Sequence, residues 1–192
     1  RQAAVAQRLE KGPAFGQTSG AGHADPEDWP TLRHDAMRSG RTGASVPPDV
    51  TLGWRTKVGS SLTAPVIAGG RVFLAETDAH ALHALDAKTG APLWRATFDG
   101  RIDAPPTVCE GLVLCGCRDG SVYALRATDG ALAWRFHAAP EERRIVSHGQ
   151  LESVWPVPAN ILVLDDLAVV SAGRTSFLDG GIRLYGLDPR TG

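Results

Sequence analysis

The residues best suited to chemistry lie in two polar stretches in the last third of the chain. The first runs from Glu141 to Pro156 and the second covers residues 173–181. Their carboxylates, guanidinium groups, imidazole and indole can recognise a ligand through ion pairs, hydrogen bonds and ring contacts. We predict that these side chains line a ligand loop: His148, Gln150, Glu152, Trp155, Arg174 and Asp179. The alternative is that the loop only caps the structure beneath it.

No catalytic signature accompanies these residues. The sequence lacks an HExxH motif, a P-loop, a GxSxG turn and a dinucleotide fingerprint. The net charge of −1 gives no support for nucleic-acid binding, and no apolar run is long enough to span a membrane. Cys109, Cys115 and Cys117 cannot form a complete disulfide framework and lack further ligands at zinc-like spacing. We therefore expect no catalytic or metal-binding residue, and we expect the cysteines to be small core residues.

An internal repeat sets the elements that must position the polar stretches. Trp54, Trp94 and Trp134 recur at one constant interval, and each is followed by arginine. The repeat units are 54–93, 94–133 and 134–192. The third unit is longer than the other two, because the step from Gly130 to Gly192 exceeds the step from Gly90 to Gly130 by about half. This difference predicts an insertion around 140–158.

Each unit has the features of short β-strands. Apolar runs of four to six residues alternate with turn signals, and Gly and Pro interrupt every window long enough for a helix. Asp119-Gly120 predicts a two-residue type I′ hairpin turn, and Gly69-Gly70, Glu110-Gly111 and Asp165-Asp166 mark an earlier turn in each unit. Several strands are apolar on both faces, which indicates a sheet packed between two layers. A period of about 40 residues with four strands per unit predicts a β-propeller.

The residues before the repeats have a different composition. Residues 3–12 favour a short helix that ends at Gly12, and residues 13–28 have the composition of a linker. We divide the chain into a linker with the end of a preceding segment, 1–28, and a propeller part, 29–192. Because the chain begins with Arg1 and the pattern requires a tryptophan four residues after Gly192, we expect a fragment of a longer protein.

One motif in the repeat is recognisable. Ala84–Trp94 reads Ala, any residue, Asp, two residues, Thr, Gly, three residues and Trp. Ala124–Trp134 repeats this order with Arg and Asp in the third and sixth places, and Gly186–Gly192 begins it again. The motif resembles the tryptophan-docking motif of the PQQ-binding-like β-propeller repeat family, in the quinoprotein alcohol dehydrogenase-like superfamily. The segment Trp29–Asp35 is also similar to the opening strand of such propellers.

This resemblance covers 29–192 and implies an all-β fold. We expect a partial propeller of two to three four-stranded blades, out of seven or eight, with the short N-terminal helix and linker. In this family the tryptophan packs on the neighbouring blade, and the polar residue and glycine build the turn that receives it. The implied docking residues are Trp54, Trp94, Trp134, Asp86, Thr89, Gly90, Asp129, Gly130, Asp188, Thr191 and Gly192.

The family has two functional branches. One comprises dehydrogenases that bind pyrroloquinoline quinone (PQQ) and calcium and oxidise alcohols or sugars, and some of them have adjacent cysteines that this sequence lacks. The other has no cofactor and includes the outer-membrane-protein assembly lipoproteins. The opening motif and the insertion favour the second branch. The resemblance thus implies a non-catalytic scaffold or binding module in the periplasm or cell envelope, with a protein partner or small ligand at a propeller face. The alternative is a PQQ- and calcium-dependent dehydrogenase.

Overall fold

Two complete four-stranded blades follow from the two regular repeat units. The computed structural model describes residues 7–17, residue 25 and residues 27–192. The first blade contains β2 (Val66–Ala68), β3 (Arg71–Glu76), β4 (Ala81–Asp86) and β5 (Pro92–Thr97), hydrogen-bonded in that order. The second contains β6 (Thr107–Cys109), β7 (Leu112–Gly116), β8 (Ser121–Arg126) and β9 (Leu132–His137) in the same antiparallel order. The all-β partial propeller predicted from the sequence is confirmed, and no helix occurs in the described ranges.

The third unit forms two separate sheets. A hairpin contains β10 (Arg144–Ser147) and β11 (Gln150–Ser153), and a three-stranded sheet contains β12 (Leu162–Leu164), β13 (Leu167–Ala172) and β14 (Arg183–Leu187). The number of residues from Leu112 to its counterpart Leu167 is already larger than the repeat interval. The number of residues from Arg126 to its counterpart Asp188 is larger still. Most of the extra residues thus precede β12, and the rest lengthen the β13–β14 loop. The single insertion expected around 140–158 is therefore divided between two places.

The first turn of each sheet has left-handed backbone geometry. Glu110 and Gly111 have φ angles of 50° and 73°, and the two-residue turns before β3, β11 and β13 also have both φ angles positive. These are the conditions for a type I′ turn, whose twist matches that of the strands. The type I′ turn predicted at Asp119-Gly120 is wrong, because only Gly120 has a positive φ there. Cys117–Gly120 instead form a four-residue turn, closed by the Gly120 amide, which donates to the Cys117 carbonyl.

The segment before Trp29 departs from its prediction. Leu9–Lys11 form a strand, β1, that pairs antiparallel with β9, so the predicted helix is wrong for these residues. The open edge of β9 supplies amides and carbonyls to an extended segment, whereas a short isolated helix is marginal in water. Ala14 is also buried against the same blade. Residues 3–6 of the predicted helix, and 18–24 and 26 of the predicted linker, lie outside the described residues.

The core explains why the strands are apolar on both faces. Val113 and Leu125 of the second blade pack towards the first blade, around Phe73 and Ile102. Leu114 and Val122 of the same blade pack towards the third unit, around Trp134, Val154 and Val170. Since side chains alternate along a strand, one sheet can serve two apolar layers. The blades therefore stack face to face.

Residues 29–40 contact β2 and β6, the first strands of the two blades, and Asn160, just before β12 of the three-stranded sheet. Trp29 exchanges two backbone hydrogen bonds with Ile67 next to the first blade, and Pro30 accepts one from Val108 of the second. The Thr31 hydroxyl lies 2.9 Å from that of Thr107. Asn160, just before β12, donates to Thr107, and Arg38 donates to both Thr31 and Asn160. We call residues 29–40 the crossing segment; it joins three blades through one polar network.

Candidate functional site

All of the extra residues in the third unit lie at the same end of the blades. At one end, the β4–β5 turn bonds to the β2–β3 turn, through the Ala87 amide and the Gly70 carbonyl. At the other end, the β7–β8 turn bonds to the β5–β6 connection and to the hairpin, through Arg101, Arg118 and Ser153. The hairpin and the long β13–β14 loop both belong to this second end. We call residues 144–153 and 173–182 together the extension face.

A charged cluster joins the two parts of the extension face. The Asp179 carboxylate accepts from Arg174 at 2.7 Å and from Arg143, which precedes the hairpin. The indole of buried Trp155 donates to the Asp179 carbonyl at 2.8 Å, and the Arg143 guanidinium lies 4.9 Å from the centre of its ring. Three of the predicted ligand residues are thus brought together. They hold the loop against the hairpin because their polar groups are paired with one another.

Glu152 anchors the hairpin to the second blade. Its side chain is 3% exposed, and one oxygen lies 3.5 Å from Arg118 and 3.8 Å from Arg101. Arg118 also pairs with Asp103 in the β5–β6 connection. The other Glu152 oxygen, Oε1, is buried without a hydrogen-bond partner among the described residues. A carboxylate so enclosed is placed to position the hairpin, so the geometry favours an anchoring role for Glu152 over the predicted ligand contact.

The remaining two predicted ligand residues lie near the hairpin tip. His148 has a φ of 51° and is exposed, and its Nδ1 lies 2.9 Å from the Ser147 hydroxyl. The Gln150 amide oxygen is 2.8 Å from Nε2 of His80, in the β3–β4 turn of the first blade. The hairpin therefore reaches across the second blade to the first. These residues do not share a pocket with Asp179.

Five large apolar side chains are exposed on the extension face and were not predicted as functional; one of them is Ile182, which is 50% exposed. Val146 and Leu151 are directly opposite each other in the hairpin and are 77% and 51% exposed. Phe177 and Leu178 in the long loop are 93% and 56% exposed. The sequence offers a signal for the second pair, since Phe177-Leu178 interrupts an otherwise polar stretch. Exposed apolar groups on a supported surface are typical of interaction sites.

A small pocket lies between the second blade and the start of the hairpin. It has a volume of about 10 Å³ and is lined by residues that include Asp119, Arg135, His137 and Glu142. Such a volume holds about one water molecule. Asp119 accepts from Tyr123 and Arg135, and burial lowers the pKa of His137. This cluster is a paired network within the second blade, with no room for an organic ligand.

The predicted docking tryptophans each contact the last turn of their own repeat unit, which for Trp94 and Trp134 belongs to the next sheet. The indole nitrogens of Trp54, Trp94 and Trp134 donate to the carbonyls of Ala87, Ala127 and Pro189, at 3.0, 3.0 and 3.1 Å. A Cβ on Gly90, Gly130 or Gly192 would lie within 2.3–3.2 Å of the ring of the same tryptophan. All three glycines have φ angles between 70° and 79°. Glycine is therefore required there for two reasons, the left-handed backbone and the close approach of the ring.

The polar docking residues build the turns that receive these rings. Asp86 accepts from the amide and hydroxyl of Thr89 at 2.8 Å, and the Thr89 hydroxyl is the main cause of the lowered pKa of Asp86. In the second blade an ion pair between Arg126 and Asp129 takes the place of this hydrogen bond and lowers the pKa of Asp129. In the third unit the Asp188 carbonyl accepts from the amides of Thr191 and Gly192. Different side chains thus close the same turn.

The described residues do not fit a quinone and calcium site. They contain no group of three or more His, Cys, Asp or Glu side chains that could hold a metal ion. The three cysteines are free, and burial raises the pKa of Cys109 to about 12 and raises the pKa of Cys115 and Cys117 well above the usual range of a thiol. None of the described residues therefore supports the PQQ- and calcium-dependent dehydrogenase alternative.

The described part of the chain has no helix long and apolar enough to cross a membrane.

Comparisons with known proteins agree with this architecture. Residues 37–192 match the family model described as outer membrane protein assembly factor BamB. The BamB of Burkholderia pseudomallei is 36% identical over 94 residues, which cover 48% of this chain and 24% of that protein. The BamB of Escherichia coli is 32% identical over 107 residues, covering 47% and 27%. The chain spans about a quarter of the length of these relatives.

Solved structures show the same fold. The quinohemoprotein alcohol dehydrogenase ADHIIG of Pseudomonas putida superposes with a TM-score of 0.70 at 17% identity, over 88% of this chain and 26% of that one. BamB from Moraxella catarrhalis superposes with a TM-score of 0.54 at 23% identity, over 71% and 40%. At these identities the likeness shows the propeller fold alone. With the family model matching most of its length, the chain belongs to the BamB family of PQQ-like β-propellers.

Proposed function

We propose that the chain is part of a non-catalytic β-propeller scaffold that binds a protein partner in the bacterial cell envelope, during outer membrane protein assembly. The observation that carries the proposal is the extension face. It gathers every residue that exceeds the regular repeat at one end of the blades and exposes apolar side chains there. The names of the BamB relatives support outer membrane assembly as the process.

The support beneath the extension face favours recognition by a preformed surface. Asp179 joins the long loop to Arg143, and Glu152 joins the hairpin to Arg118 in the blade. Because these ion pairs fix the loop before a partner arrives, binding costs less conformational entropy. A small pocket with paired polar groups suits a ligand poorly, whereas a supported apolar surface suits another protein.

The exposed apolar residues are arranged as an interface centre. Phe177, the most exposed at 93%, is an aromatic side chain of the kind that dominates binding energy in protein interfaces. Arg144, Arg174 and Arg183 are exposed around the apolar residues and would form a polar rim. The scaffold therefore needs no cofactor, and neither a nucleic acid nor a membrane-spanning segment is part of the proposal.

Site-specific photo-crosslinking in the whole protein, in its own host, tests this function. A photoreactive amino acid at Phe177 should give an adduct with an identified protein of the outer membrane assembly apparatus. The same amino acid at Lys88, exposed at the opposite end of the blades, is the control. Leu178→Glu should reduce the Phe177 adduct severalfold. Equal adducts at both positions, or an adduct that Leu178→Glu leaves unchanged, would refute the role of the extension face.

A second measurement separates this scaffold from a dehydrogenase. The whole protein is incubated with PQQ and calcium, and dye reduction is followed with alcohols and sugars as substrates. We expect no turnover above that of the quinone alone. Saturable turnover would replace the scaffold proposal with the dehydrogenase alternative.

A further inference from the structure

Equivalent strands in the two complete blades have different surroundings. β5 and β9 are the fourth strands of the two blades and share the dipeptide Trp-Arg, at Trp94-Arg95 and Trp134-Arg135. The outer edge of β9 is covered by β1, whereas β5 ends its sheet with no strand beyond it among the described residues. The same sequence motif is thus present once with a covering strand and once without.

Exposure reflects this difference. Trp134 is 0% exposed, whereas Trp94 is only partly buried although its indole makes the equivalent hydrogen bond. Leu93 is 46% exposed, and Arg95 and Thr97 are also exposed. An uncovered edge with regular geometry is a template for pairing with another chain. β5 has no proline after its first residue and no inward-pointing charge that would prevent such pairing.

β1 shows which kind of strand this edge accepts. In its register Glu10 is opposite Arg135, with the charged groups 3.9 Å apart, and Leu9 is opposite Phe136. The Gly12 amide donates to the Ala133 carbonyl at 2.9 Å. A Cβ on Gly12 would lie 2.2 Å from the Leu132 carbonyl oxygen, so a glycine is required at this position. The recognition elements are therefore an acidic residue followed, two positions later, by glycine.

Because the two blades are repeats, the residues of β9 that contact β1 have counterparts on β5. Arg95 corresponds to Arg135, and Leu93 corresponds to Ala133. The Phe98 amide donates to the His80 carbonyl, towards the inside of the sheet. Because backbone amides alternate in direction along a strand, the Thr97 amide points outward, as the His137 amide does when it donates to the Arg8 carbonyl. The open edge of β5 therefore presents the backbone groups and the positive charge that β1 uses on β9.

We propose that β5 is a docking edge for an extended segment of a partner protein, which adds to the first blade as a fifth strand. The segment carries an acidic residue opposite Arg95 and a glycine opposite Leu93, as Glu10 and Gly12 do on β9. Main-chain bonds supply affinity in this mode of recognition, and the cross-strand charge pair supplies selectivity. The proposal rests on the scaffold role but uses a surface separate from the extension face.

A peptide with the sequence of residues 7–17 tests the docking edge, because it contains the one strand known to fit such an edge. A fluorescent form is titrated into the whole protein, and binding is followed by anisotropy. We expect saturable binding that Arg95→Glu weakens about tenfold, because attraction becomes repulsion. A peptide with Glu10→Arg should be equally weak on the unaltered protein and should regain affinity on Arg95→Glu. Arg55→Glu is the matched control, since Arg55 follows Trp54 in the same dipeptide but lies outside any strand.

Each other outcome overturns the docking edge. Binding unaffected by Arg95→Glu would place the peptide elsewhere, such as in exchange with β1 on β9. If the peptide does not bind, the edge accepts no partner strand. If the peptide does not bind and the protein forms a dimer that Arg95→Glu disrupts, the edge pairs with a second copy of the chain. Phe177→Glu should leave peptide binding unchanged. Loss of the Phe177 adduct with peptide binding intact would therefore refute only the extension face, and the reverse result would refute only the docking edge.

Discussion

Replacement of Trp134 by alanine tests the docking role at its most buried position. The ring is fully buried, its nitrogen donates to the Pro189 carbonyl at 3.1 Å, and Lys11 of β1 lies opposite it. Removing a buried tryptophan side chain costs about 3–5 kcal/mol of the free energy of unfolding, since apolar contacts are lost and a cavity remains. Trp134→Phe should cost only about 1–2 kcal/mol, because most of the packing stays and mainly the hydrogen bond is lost. Trp94→Ala should fall near the lower limit, about 3 kcal/mol, because that ring is only partly buried.

Urea unfolding followed by circular dichroism measures these differences, with the slope of the transition compared between variants. A constant slope indicates that the midpoint reports stability and that the exposed surface is unchanged. A loss below about 1 kcal/mol for Trp134→Ala would refute the docking role of this ring. Equal losses for the alanine and phenylalanine variants would show that the hydrogen bond, and not the ring, stabilises the contact between blades.

Cys115 and Cys117 should resist alkylation at pH 8 in the folded protein and react fully in urea, as followed by mass spectrometry, because burial raises the pKa of both thiols. The free energy of unfolding should fall as the pH drops from about 4 through the pKa of Asp86, which Thr89 holds below 3.8. The favourable interactions of the Asp86 carboxylate are present above the unfolded pKa and are lost when the carboxylate is protonated. In a plot of the unfolding midpoint against pH, Asp86→Asn should flatten this acidic part. Asn160→Ala should cost about 1–3 kcal/mol in urea unfolding, because Thr107 and Pro105 lose a donor and Arg38 loses an acceptor. The adjacent side chain, that of Ala159, offers no polar substitute, so an unchanged midpoint would contradict this role of Asn160.

The repeat made most of the fold predictable, because period and strand pattern are local properties of the sequence. Trp54, Trp94 and Trp134 define the units, and the paired apolar faces of Val113 and Leu114 indicate a sheet between two layers. The strand at Leu9–Lys11 was not predictable in this way. Its conformation depends on the edge of β9, which lies far along the chain in the second blade, so tertiary pairing overrides local helical preference.

The candidate site was predictable in residue type and only partly in role. Polar residues in the sequence marked these two segments, and Trp155, Arg174 and Asp179 do meet. The sequence does not show that Glu152 points into the blade, since the direction of a hairpin side chain depends on register. It also does not show where the long β13–β14 loop folds, and this loop places Phe177 beside the hairpin end of the blades.

The crossing segment has a consequence for the order of folding during synthesis. Thr31 and Asn160 are far apart in the sequence, and Arg38 joins them in one network. When the second blade, which ends at His137, has just left the ribosome, Asn160 is still inside the exit tunnel, so the segment can bond to Ile67 and Val108 but not complete its polar contacts. Because contacts of long sequence separation form late, residues 29–40 must stay available until the three-stranded sheet begins. The hydrogen bonds of Asn160 thus form last, and they fix the two blades and the three-stranded sheet together.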